Sequence, residues 1–130
     1  MKSILLIEDN IDILENLGEF LELEGYYILS ANDEKTGIEM AIQFMPDLII
    51  CDCPRPGIDG HEVLRMLIKT SKISGIPFIF CSTMSETSNS LAALQLGADD
   101  YIIKPFELDN VLAVVKASIA AGSKRQKYIL

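Results

Sequence analysis

The chain has 130 residues, 49% of them hydrophobic, and 19 acidic against 11 basic side chains give it a formal net charge of −8. That length suits one domain with a real core, and so apolar a composition argues against disorder. The acidity argues against non-specific binding to nucleic acid, whose phosphates need cationic partners, and no run approaches the roughly 20 apolar residues that cross a bilayer.

The opening Met1-Lys2-Ser3-Ile4-Leu5-Leu6-Ile7 meets acid at Glu8-Asp9 and has no small-residue cleavage site, so it reads as a first strand and not as a leader. Ile13, Leu14, Leu17, Phe20 and Leu21 then recur at helical spacing until Gly25 stops them. A strand is predicted over Tyr26 to Ser30, followed by a second helix on Ile38, Ala41, Ile42 and Met45 that Pro46 ends. Leu48 to Cys51 forms the third strand. Val63, Leu64, Leu67 and Ile68 form the third helix, with Asp59 as cap and Glu62 reaching back to it. Phe78 to Cys81 is the fourth strand. The fourth helix is the weakest, because Ser85 to Ser90 is polar and only Leu91, Ala92, Leu94 and Leu96 supply a stripe before Gly97, so a mobile or late-starting first turn is expected. Ala98 to Ile103 makes the fifth strand, and Leu108, Val111, Leu112, Val115 and Ile119 the fifth helix.

Near-continuous apolar strands alternating with amphipathic helices predict an α/β fold, a doubly wound parallel sheet covered on both faces. The domain is expected over residues 1–121, with 122–130 a basic tail or the start of a linker, since Lys124-Arg125-Gln126-Lys127 is the one basic cluster. Cys51, Cys53 and Cys81 lack the repeated spacing of a zinc site and read as reduced thiols of a cytoplasmic protein.

In such a sheet, ligands sit beyond the carboxyl ends of the strands, which here carry Glu8-Asp9, Asp52, Ser82 and Lys104. A carboxylate can attack phosphorus if something neutralises the approaching charge. Asp52 is the expected nucleophile. Mg2+ prefers hard oxygen ligands, which Glu8, Asp9, Asp52 and the backbone carbonyl of Pro54 can supply. Lys104 would pair with Asp52 before reaction and with a phosphoryl oxygen afterwards, with the Ser82 hydroxyl donating to another. Against this stands a plainer role, because acids after strands are also common helix caps.

Four segments carry a resemblance: Ile7-Glu8-Asp9, Pro46-Asp47-Leu48-Ile49-Ile50-Cys51-Asp52, Pro56-Gly57-Ile58-Asp59-Gly60, and Leu96-Gly97-Ala98-Asp99-Asp100-Tyr101-Ile102-Ile103-Lys104-Pro105-Phe106. In this order and spacing the chain resembles, over essentially its whole length, the receiver domain of bacterial two-component response regulators, the single-domain chemotaxis regulator among them. The resemblance implies a flavodoxin-like (βα)5 sandwich of three layers with strand order 2-1-3-4-5. It implies that Asp52 takes a phosphoryl group from a sensor histidine kinase or a histidine phosphotransfer protein, with Mg2+ held at Glu8 and Asp9 and phosphate at Lys104. It implies a cis peptide at Lys104-Pro105 and a switch pair, Ser82 and Tyr101, that alters the surface of the fourth helix, fifth strand and fifth helix to control a downstream protein or fused output domain.

The departures carry expectations of their own. Pro54 and Met84 stand where many relatives have polar side chains, and neither orients a water, so slow self-dephosphorylation is expected. Val114 replaces an arginine that relatives with winged-helix outputs use in a charged homodimer face, which leaves a different dimer, a monomer or an apolar partner face open. Arg55 reads as solvated, and His61 reads as a surface residue without a role. The rival readings are a phosphorylation-independent pseudo-receiver, which predicts loss of an acid or of Lys104; a haloacid-dehalogenase-type hydrolase, which favours an aspartate where Pro54 stands; and a flavodoxin, whose phosphate Glu8-Asp9-Asn10 would repel.

Overall fold

The structure is a computed structural model that describes residues 1–8, 10–52, 60–83, 92 and 94–123. Five parallel strands, β1 (Ser3–Ile7), β2 (Tyr27–Ala31), β3 (Leu48–Asp52), β4 (Phe78–Thr83) and β5 (Asp100–Lys104), form one sheet in the order β2-β1-β3-β4-β5. They alternate with helices α1 (Ile11–Leu23), α2 (Glu34–Phe44), α3 (Gly60–Lys69), α4 (described as helical at 92 and 94–96) and α5 (Leu108–Ala121). The expected flavodoxin-like α/β sandwich and its strand order are therefore present.

Strand side chains alternate between faces, and the core divides accordingly. Leu5, Ile7, Ile49, Cys51, Phe78 and Phe80 pack with Ile38 and Ala41 of α2 and with Val63, Leu64 and Leu67 of α3. The alternate set, Ile4, Leu6, Leu48, Ile50, Ile79, Cys81 and Ile102, packs with Leu17 and Leu21 of α1 and Val111 and Val115 of α5. Burial on both sides is why these strands lack polar alternation in the sequence.

Local chemistry sets the ends. Gly25, at φ 96°, closes α1 with Gly25 N–H donating to Glu22 O and Tyr26 N–H to Leu21 O, the two bonds of a Schellman cap. The extended Asp33 caps α2 by accepting from Thr36 N–H at 2.8 Å. Two acids fasten the opposite end of the sheet from the candidate site. Asp47 Oδ2 accepts Ser3 N–H at 2.8 Å, joining the starts of β1 and β3, and Asp99 Oδ2 accepts Phe78 N–H at 2.8 Å beside the start of β4.

Several expectations are corrected. Met45 does not extend the apolar stripe of α2: it is a half-exposed cap at φ 49°, because the helix must end before Pro46. Leu108 opens α5 but is 43% exposed, so the buried stripe begins at Val111. β2 runs one residue later than expected, β3 and β4 extend to Asp52 and Thr83, and β5 starts at Asp100, since ladder pairing and not hydropathy decides the limits. Glu62 pairs with Arg65 at 3.2 Å, and the expected cap at Asp59, to which Glu62 would reach back, lies outside the described residues. The expected late start of the fourth helix also falls there.

Candidate functional site

The register Ile7↔Cys51 between β1 and β3 places Glu8 and Asp52, each one step further on, side by side at the carboxyl edge of the sheet. Both continue the alternation that faces α1 and α5. Glu8 is 3% and Asp52 6% exposed. The Glu8 backbone donates to Ala31 O at 3.0 Å, and its Oε1 accepts Asn10 N–H at 2.8 Å, which fixes the carboxylate over the end of β1.

Lys104 ends β5, with β4 between it and β3. Two strand spacings of roughly 4.8 Å separate the backbones, a gap that the four-carbon stem and the aspartate span together. Lys104 Nζ donates to Asp52 Oδ1 at 2.6 Å, an ion pair shielded from water on both sides. The Lys104–Pro105 peptide is cis, as the resemblance implies. Phe106 follows, and its ring helps to line a crevice of about 10 Å³ with Glu8, Asp52, Leu17 and Cys81. Sequence reasoning assigned Phe106 no part; its place directly after Lys104-Pro105 was the available signal. Cys51 and Cys81 are buried and form no disulfide, and Cys81 lies opposite Asp52 in the β3–β4 register.

The structure thus brings Asp52, Glu8 and Lys104 together. Asp9, Pro54, Cys53, Arg55 and Met84 lie outside the described residues. Ser82 sits within β4 opposite Ile103, one residue before the strand ends, and its side chain is not described. Tyr101 is opposite Phe80 in β5, on the face away from the acids, half-buried and packed against the core of α2 and α3. It also borders a groove of about 180 Å³ with Ile103, Pro105, Asn110 and Val114. His61 is corrected from an uncommitted surface residue: its ring stacks on Phe80 with centroids 5.2 Å apart.

Mg2+ is the cation implied here, and the two described carboxylates are oxygen donors of the kind it takes. Two buried carboxylates stand beside one ammonium, all hard oxygen donors on the anionic side, and burial penalises the uncompensated negative charge. Among the described residues no three His, Cys, Asp or Glu side chains group as a metal site, and Asp9, the third acid expected, is not among them. No helix of the described residues is long and apolar enough to cross a membrane.

A family model described as the response regulator receiver domain matches residues 4–116. The Staphylococcus epidermidis response regulator ArlR is 37% identical over 121 residues, covering 90% of this chain and 52% of that protein; the chain therefore spans about half the length of such curated relatives. A solved receiver domain of a signal transduction histidine kinase from Syntrophus aciditrophicus is 29% identical, covers 100% of this chain and 98% of its own, and superposes with a TM-score of 0.85. The chemotaxis response regulator CheY4 of Vibrio cholerae, 23% identical, shares the fold with a TM-score of 0.82 over 90% of this chain and 98% of its own.

Proposed function

Because the chain belongs to the family of response regulator receiver domains, we propose that it is a phosphorylation switch with Asp52 as the phosphoacceptor. The observation that carries this is the buried Lys104–Asp52 pair beside Glu8, at the sheet edge where such folds bind ligands. Asp52 supplies the nucleophilic oxygen. An O–P bond forms to the phosphoryl group of a kinase phosphohistidine, the P–N bond breaks, and the imidazole leaves with that electron pair and takes up a proton. Glu8, Asp9, Asp52 and the Pro54 carbonyl would hold Mg2+, which when bound neutralises charge on the incoming phosphoryl oxygens. Lys104 releases Asp52 Oδ1 and turns its ammonium to a phosphoryl oxygen, a short move since its stem already spans β4. Phe106 and Leu17 keep the floor beneath the carboxylates apolar.

Phosphorylation adds about 1.5–2 units of negative charge and three acceptor oxygens. Ser82 answers that charge, and Tyr101 turns further into the core, changing the surface of α4, β5 and α5 that a downstream partner or fused output domain reads. The domain covers residues 1–121, the remainder being tail or linker, and it works in the cytoplasm with a sensor histidine kinase. The test is intact mass after incubation with Mg2+ and acetyl phosphate. A single phosphoryl addition is expected, absent without Mg2+ and absent in Asp52→Asn. A folded protein that takes no adduct from acetyl phosphate or from histidine kinases would be a phosphorylation-independent binding module instead.

A further inference from the structure

The acids and Lys104 lie on one face of the sheet, and Tyr101 lies on the other. A change at Asp52 must therefore cross the carboxyl edge to reach Tyr101. On Tyr101's face, His61 in the first turn of α3 stacks on Phe80, with ring planes 24° from parallel. Phe80 is 1% exposed and stands opposite Tyr101 in the β4–β5 register. Three rings thus run from the start of α3, the helix that follows Asp52 in the chain, to the edge strand β5. Phe80 has no free surface, so its ring plane cannot turn without displacing a neighbour, and close-packed interiors transmit such displacements.

We infer that His61 is a positioning residue for the Tyr101 switch: stacked on Phe80, it fixes the wall against which Tyr101 turns and ties that wall to the helix leaving the phosphorylation site. The inference rests on the function proposed above and adds a second route, through α3, to the one through β4. Bulk alone does not serve this purpose. A leucine at position 61 fills comparable space but offers the Phe80 ring no flat face to stack on, so it does not hold that ring's plane, whereas a phenylalanine keeps a flat partner against it.

The test uses the full chain with labelled tyrosine rings, Mg2+ and acetyl phosphate as the probe, and intact mass to score phosphorylation in each sample. Tyr101 ring resonances should shift on phosphorylation in wild type and in His61→Phe. In His61→Leu the adduct should form while the shifted population falls roughly fivefold or more, the size of an ordinary coupling between sites. A wild-type-sized shift in phosphorylated His61→Leu would overturn this inference alone, and failure of wild type to take the adduct would overturn it together with its premise. Should His61→Leu not fold, the reciprocal signal decides. The chain holds one histidine, and its ring resonances in wild type must move on phosphorylation; a stationary signal contradicts the role.

Discussion

At neutral pH the Lys104 ammonium lies 2.6 Å from Asp52, with the Glu8 carboxylate at the end of the next strand. Removing one partner of a buried pair is costly because the other charge stays behind unpaired, but the two removals are unequal here. Lys104→Met leaves two buried carboxylates with no ammonium, and a loss of about 3 kcal/mol is expected, the lower end for buried pairs since Lys104 keeps some exposure. Asp52→Asn keeps a side-chain oxygen that can accept from Lys104 and relieves the anionic crowding beside Glu8, so it should cost less than about 1 kcal/mol. Chemical denaturation at pH 7 checks the order, and equal losses would contradict the crowding argument. Position along the chain made most of this legible. Acids directly after apolar runs, Glu8 and Asp52, reach the site, whereas Asp47 and Asp99, directly before β3 and β5, clamp backbone N–H groups at the far end. His61 was not legible, because stacking on Phe80 depends on α3 lying across β4, which no local pattern states.

Two helix glycines, indistinguishable by composition, should respond to alanine with opposite signs. At Gly18 of α1 an added Cβ would meet Ile28 Cγ2 at 3.6 Å, ordinary contact, so Gly18→Ala should stabilise by about 0.5–1 kcal/mol through helix propensity. At Gly37 of α2 the same atom would lie 2.6 Å from Ile7 Cδ1 and 3.0 Å from Ile7 Cγ1, and Ile7 is 1% exposed. Overpacking of about 1–3 kcal/mol then outweighs the propensity gain, and Gly37→Ala should destabilise. Thermal unfolding of the pair tests both signs at once. At the start of α2, the Thr36 backbone N–H and hydroxyl hold the pKa of Asp33 below its ordinary value. The cap's contribution is therefore complete above the unfolded pKa and is lost as pH falls through the lower folded one. A carboxyl NMR titration should give Asp33 a midpoint below the roughly 3.9 of free aspartate, and a midpoint at or above that would contradict the cap. Helix identities were legible from their stripes. Their ends were not always so: Met45 reads as one more apolar residue until Pro46 and the left-handed turn exclude it from α2.

Across the whole molecule, one sheet separates the acid-bearing face from the face that holds Tyr101, so the switch proposed above must cross the carboxyl edge. The fold itself was legible because β1, β3 and β4 are buried on both faces and α1, α2, α3 and α5 each carry an apolar stripe. Strand order came through the resemblance, since hydropathy does not distinguish which strands are neighbours. Neither Pro54 nor Met84 carries a polar side chain that can orient an attacking water, so on the proposed function the phosphoryl adduct should persist beyond minutes without a phosphatase, and its decay followed by intact mass tests this. The central claim concerns one carboxylate. Borohydride reduces an acyl phosphate to a primary alcohol with release of phosphate, and peptide sequencing by mass then locates it. After reaction with acetyl phosphate and Mg2+, reduction should leave homoserine at position 52 and no other. A reduced residue at Glu8, Asp9 or elsewhere, with Asp52 intact, would contradict the assignment.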